Sequence, residues 1–241
     1  MGSDSIVLRD VEKQYGALRP LRVRDLKVAS GSVTTVIGLD GGAAEIFVNL
    51  VTGAALPDRG EVISLGRSTR EIVNGDEWLA FVERFGTISD RTVLLEGMTV
   101  AQNLAISFDL EIDPIPADVV SRVSSLASEV GIALSLLDTR VSDAPSLLRS
   151  RIYLARALAV DPAVLLLEHP TARLTPEEAR EFASVVRHVS ETRRLTTLGL
   201  MMDEAFGRAV GGRLLFWQPA TGEMRLPSRF ARWRVRRRAL R

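Results

Sequence analysis

The chain has 241 residues, 46% apolar and 25% charged, with a formal net charge of +1. That balance excludes disordered and collagen-like classes, allows one sizeable core with a small satellite, and leaves no overall positive field to draw nucleic acid. There are no cysteines, so disulfides and thiolate metal sites are excluded, and no apolar run reaches the roughly 18 residues needed to span a bilayer.

Taken in chain order, residues 6–11 and 21–28 read as strands, and Ser30-Gly31 is a turn. Residues 32–37 are β-branched and apolar and read as a buried strand, running into the glycine-rich segment 38–43. Residues 44–52 have helical spacing, with Ile46, Phe47, Leu50 and Val51 on one side. A turn at 57–60 precedes a strand at 61–65, a helix at 76–83 and a strand at 85–89. Helical spacing at 99–110 and 117–130, separated at Pro114 and Pro116, makes residues 95–148 a helix-rich insert. A helix at 149–160 leads to the fully apolar strand 163–167. The helix predicted at 176–191 opens on Pro176, with Glu177 and Glu178 in its first turn. Strands at 195–201 and 212–217 close the pattern. This alternation predicts a layered α/β fold with a mainly parallel sheet.

A strand, a glycine-rich loop and a helix form a phosphate cradle, because backbone N–H groups and the helix N-terminus present the positive end of a dipole. A working P-loop reads Gly-x-x-x-x-Gly-Lys-Ser/Thr. Here the eight positions are Gly38, Leu39, Asp40, Gly41, Gly42, Ala43, Ala44 and Glu45. Ala43 replaces the second glycine, Ala44 the lysine and Glu45 the metal-binding hydroxyl. The pattern places Glu45 in the first turn of the helix, where its carboxylate would answer the dipole and repel a phosphate. Lys13 and Lys27 are the only lysines, against 29 arginines, so no lysine beyond the loop can substitute. Alone, the segment reads first as a structural turn.

Its flanks are more specific. Gln14-Tyr15-Gly16, then Asn-Leu-Val-Thr-Gly at 49–53, Leu-Pro-Asp-Arg-Gly-Glu-Val at 56–62 and Leu65-Gly66 occur in order. Gly-Met-Thr-Val-Ala-Gln-Asn-Leu at 97–104, Leu-Ala-Arg-Ala-Leu at 154–158 and Val-Leu-Leu-Leu-Glu-His-Pro-Thr at 164–171 follow. Together, across about residues 5–215, they resemble the ABC (ATP-binding cassette) ATPases. The resemblance implies a P-loop NTPase core with a mainly parallel sheet, an N-terminal antiparallel β-subdomain and a helical subdomain at about 95–148. These would lie within a domain over 1–228, followed by a basic tail at 229–241. It also implies ATP and Mg²⁺ as cofactors, and a transmembrane permease and a second cassette domain as partners. With no signal-peptide pattern at the first residues, the expected location is cytoplasmic, on the inner face of the membrane.

The departures from the family fall on its chemistry. Asp90 stands for the glutamine that senses Mg²⁺ and the membrane subunit. Ala144-Pro-Ser-Leu-Leu148 stands for the signature Leu-Ser-Gly-Gly-Gln, so two glycines are lost and Pro145 lacks an N–H. Glu168 takes the Walker B aspartate position and His169 that of the catalytic glutamate. Thr175 replaces the dimer-contacting aspartate, and Met202 the switch histidine before Asp203. The resemblance therefore outlines a vestigial nucleotide site of Tyr15, Gly38, Asp40, Gly41, Gly42, Ala44 and Glu45. Tyr15 has two open roles, stacking on adenine or packing a turn. Glu168 either holds a metal with Asp90 or ends a buried strand. His169 has the pKa range of a general base, but the lysine, hydroxyl and signature it would work with are absent. His188, mid-helix, reads as structural.

Between positions 225 and 241 there are eight arginines and no acids. The run from Arg229 to Arg241, with Phe230 and Trp233 three apart, is either a solvated terminus or a contact for anionic lipid headgroups or an acidic partner. Each arginine at such a surface is worth about 1 kcal/mol. Nucleic acid is not expected. The leading expectation is a degenerate ABC subunit that docks on a permease with little or no hydrolysis. The alternatives are a slow ATPase with a rewired site and a non-transport adaptor on the same fold.

Overall fold

The computed structural model describes residues 3–89 and 91–227. The chain opens with a hairpin of β1 (Asp4–Lys13) and β2 (Leu21–Ala29), then β3 (Val33–Ile37) leads into α1 (Gly41–Val51). β4 (Arg59–Ser64), β5 (Arg67–Ser68), α2 (Gly75–Val82) and β6 (Phe85–Ile88) follow. The helical stretch holds α3 (Val100–Ala105), α4 (Ala117–Glu129) and α5 (Ser146–Ala159). Then come β7 (Val164–Glu168), α6 (Pro176–Thr192), β8 (Thr196–Met201), α7 (Glu204–Val210), β9 (Arg213–Gln218) and β10 (Glu223–Arg225).

Two sheets result. The first, in the order β2-β1-β4-β5, is antiparallel throughout, as the N-terminal subdomain was expected to be. On β2 the alternation of Leu21 and Val23 with Arg22 and Arg24 follows the two-residue period of a half-buried strand. The second sheet runs β10-β9-β3-β8-β7-β6 and is parallel except for β10. Every residue of β7 and β8 is buried, as befits central parallel strands covered on both faces.

Two apolar cores form. One holds α1 and the first sheet together through Phe47, Leu50, Leu8, Val23 and Trp217. The other gathers the helices through Leu104, Leu126, Ile152, Phe182 and Phe206. α5 crosses β6 so closely that a Cβ on Gly86 would lie 2.3 Å from the Ala157 carbonyl oxygen. Glycine is required there by space, since its backbone is ordinary strand.

Several boundaries differ from the sequence reading. The helix expected at 99–110 is only Val100–Ala105, opened by a capping box at Thr99 and Gln102 and followed by turns. The helix expected at 149–160 begins at Ser146, so α5 runs across position 148. α7 was not foreseen. At seven residues it is too short to show a helical period, and its start is marked by Asp203, whose carboxylate accepts from the Phe206 N–H.

Candidate functional site

β3 and β7 flank β8 and run parallel to it, so their C-terminal ends emerge on the same edge of the sheet, where ligands bind in open α/β folds. β8 fixes both exits. The Gly38 N–H donates to the Met201 carbonyl at 3.0 Å, and the His169 N–H donates to the Leu200 carbonyl at 3.1 Å. Gly38 leaves β3 with φ +103°, a conformation that favours glycine.

The helix after this turn starts three residues earlier than the sequence suggested. Asp40 is its N-cap, accepting from the Ala43 N–H at 2.8 Å. Glu45 is therefore not in the first turn and does not answer the dipole, which corrects the expectation. The cap stabilises the start strongly enough for Gly41 and Gly42 to be helical. Ala43 and Ala44 are fully buried against the sheet, so the position of the expected lysine points into the core.

Tyr15 reaches the loop. A Cβ built on Gly42 would be 3.4 Å from its ring, so the ring lies over the first helical turn. Burial pushes the phenol above its ordinary value, and the Asp40 carboxylate adds to the shift. The segment before Tyr15 is held by Asp58, which accepts from the Gln14 N–H at 2.7 Å and the Lys13 ammonium at 2.9 Å. Those bonds hold the Asp58 carboxyl below its ordinary value, the Gln14 bond most strongly. Lys13 is thus engaged away from the loop.

Glu45 and Glu168 meet through a residue that sequence reasoning missed. The Arg91 guanidinium forms one ion pair with Glu45 and a second with Glu168, Nη2 to Oε2 at 2.6 Å. Ser89 Oγ accepts from both the backbone N–H and Nε of Arg91, each at 3.2 Å. Glu168 is 3% exposed at the end of β7, whereas the side chains of Arg91 and Glu45 are 42% and 47% exposed. No spacing rule points to Arg91, because its partners come from α1 and β7.

His169 lies beside this cluster, following Glu168 in the chain and sharing Ser89 with it. It sits at φ +44° and lines a small cavity with Ile88, Ser89, Ser150 and Tyr153. Its Nε2 is buried without a hydrogen-bond partner among the described residues. No group of three or more His, Cys, Asp or Glu residues suited to a metal occurs among the described residues. Asp90 and the basic tail from Arg229 to Arg241 lie outside them.

The remaining family positions are absorbed into local structure. Pro145 precedes α5 as an N-cap without a side-chain bond, and Leu148 is buried in the helical core. Thr175 caps α6 in a reciprocal pair with Glu178. Met202 is exposed, and Asp203 caps α7 while accepting from the Thr171 hydroxyl at 3.0 Å. No helix among the described residues is long and apolar enough to cross a membrane.

Comparison with known proteins bears on this arrangement directly. A sulfate/thiosulfate import ATP-binding protein of Thermosynechococcus vestitus is 29% identical over 87% of this chain and 60% of its own length. A methionine import ATP-binding protein of Brucella abortus is 28% identical over 87% of this chain and 56% of its own length. The chain thus spans under two thirds of the length of these relatives. Among solved structures, a Clostridium perfringens chain described as part of the ABC transporter complex cbiONQ superposes with a TM-score of 0.78 at 18% identity, over 98% of this chain and 94% of that one. An ATP-binding cassette dimer in a post-hydrolysis state, bound to ADP and Pi, gives 0.72 at 17% identity, over 92% and 98%. At such identities the likeness is one of fold. The profile of the family described as ABC transporter matches residues 21–172, and the chain belongs to that family.

Proposed function

We propose that the chain is an ATP-binding-type subunit of an ABC transporter that performs little or no ATP hydrolysis itself and serves transport in a structural or regulatory role. It docks on a transmembrane permease at the cytoplasmic face and pairs with a second cassette domain. Relatives named as import ATP-binding proteins support a place in uptake. The basic run from Arg229 to Arg241 would add contact with anionic headgroups.

The observation that carries this reading is the ion-paired cluster of Glu45, Arg91 and Glu168. Metal-bound ATP suits these residues poorly. Ala44 is buried and offers no ammonium for the phosphates, and Glu45 puts a carboxylate where a metal-binding hydroxyl would be useful. Asp40 already accepts from a loop N–H that a phosphate would need. Retained nucleotide would rely on the backbone N–H groups of the loop against two carboxylates. Tyr15, lying over Gly42, fits the packing role better than an open stacking platform.

A second reading, slow hydrolysis by a rewired site, draws on the same cluster. Charge neutralisation is the main work in phosphoryl transfer, and Arg91 is a cation in the right neighbourhood. Its terminal nitrogens are already committed to carboxylates, and the Nε2 of His169 is buried in a small cavity, which disfavours that reading.

Calorimetric titration of the full chain with ATP, with and without Mg²⁺, tests the proposal. No heat at millimolar nucleotide is expected. Micromolar, Mg²⁺-dependent binding would overturn it. Co-purification with a multi-spanning membrane protein separates a transport subunit from a soluble adaptor.

A further inference from the structure

We propose that Arg91 is a resident cation that ties α1 to the end of β7 and makes this junction independent of metal and nucleotide. The inference rests on the reading above and deepens it. By the resemblance, positions 45 and 168 are those from which the family reaches Mg²⁺, one through a hydroxyl and one through a carboxylate. Here both are carboxylates, and two of them converging on one point repel unless a cation stands between.

The guanidinium meets that need by its shape. One Nη serves Glu45, the other serves Glu168 at 2.6 Å, and Nε is held by Ser89 Oγ at 3.2 Å. A planar, permanently charged fork can satisfy three directions at once, where an ammonium acts as a point charge. Ser89 is 5% exposed and follows β6, so the cation is anchored from a third element. Glu168 is far more buried than Glu45, so removing the cation costs Glu168 more. Glu45 is half solvated and tolerates the loss better.

The consequence is a cassette half whose phosphate loop keeps one arrangement throughout a transport cycle. A ligand can shift a conformational equilibrium only by binding one state better than another. With its cation built in, this junction gives Mg²⁺ and ATP little to discriminate.

Thermal melts of the full chain with EDTA, Mg²⁺, Mn²⁺ or ATP test this, using wild type, R91A, R91K and E45Q. Wild type is expected to melt at one temperature in all four conditions. R91A is expected to melt about 4–8 °C lower and to recover at least half of that loss in millimolar Mn²⁺, because carboxylates no longer shared with Arg91 can offer oxygen ligands to a hard cation. If R91A is too unstable to purify, R91K carries the test, with a smaller fall, and E45Q should melt close to wild type. R91A or R91K melting with wild type would overturn the proposal, as would Mn²⁺ raising wild type and R91A equally. A rise of wild type with Mg²⁺ or ATP would overturn the degenerate reading of the subunit, and the metal independence of the junction with it. A neutral R91A without such a rise sinks the resident cation alone.

Discussion

The start of α1 and the start of α5 correspond, by family resemblance, to the two helix N-termini that grip nucleotide phosphates, and the chain treats them differently. At α1 the helix end is answered by a side chain, Asp40, and the neighbouring acids Glu45 and Glu168 are bridged by Arg91. At α5 the first residue follows Pro145, with no side-chain cap, and Leu148 holds the turn by burial in the helical core. Outside the cap, the α5 end is braced by Arg149, which donates to Glu96 Oε2 and to the Val141 carbonyl, both at 2.8 Å. The lesson is that losing a shared chemistry does not leave one kind of remnant. One end has become a polar junction bridged by its own cation, and the other has become packing.

If that contrast is right, apolar truncation should strike α5 hardest. Leu148→Ala is expected to cost about 3 kcal/mol through lost burial and a residual cavity, read as a fall in the urea midpoint at constant m-value. A loss under about 1 kcal/mol would mean that packing does not hold this helix start.

The next effect separates the two caps. Asp40→Ala should cost about 1 kcal/mol, because the Ala43 N–H loses its acceptor. Ser146→Ala at the head of α5, where no cap bond exists, should stay within about 0.5 kcal/mol of wild type. Equal losses at the two positions in chemical denaturation would erase the distinction.

The smallest effect concerns the exposed brace at α5. The hydrogen bond from Arg149 holds the Glu96 carboxyl below its ordinary value of 4.5, with Coulomb attraction adding to it. A depressed folded-state value means the contact contributes fully above about pH 4.5 and is lost as pH falls through the lower, folded value. NMR titration of the Glu96 side chain should show that depression, and Arg149→Met should return it to the ordinary range. An unchanged titration in the variant would assign the shift to something other than Arg149.

Much of the fold was legible because its signals are local. The β-branched run of β3, the apolar run of β7 and the proline-led start of α6 each announce themselves within a few residues. The antiparallel first sheet and the mainly parallel second sheet followed from the family resemblance and from the alternation of elements. α7 was hidden by its shortness, and the true start of α1 by the two glycines after Asp40. An aspartate three residues before a buried alanine was a readable cap signal there, outweighed by the attention that Glu45 attracted.

The chemical inventory is set by the residues along the chain. No lysine at position 44, no hydroxyl at 45 and no paired glycines before α5 are facts of composition along the chain, and no folding can restore them. How the leftover charges are used is set by the folded arrangement alone. Arg91 and Glu168 lie 77 residues apart, and Glu45 sits on a third element. Periodicity and capping act over a few residues, whereas an ion pair needs two side chains delivered to one point by separate elements. The ends of β6 and β7 and the exposed side of α1 supply that point, and nothing along the chain announces it.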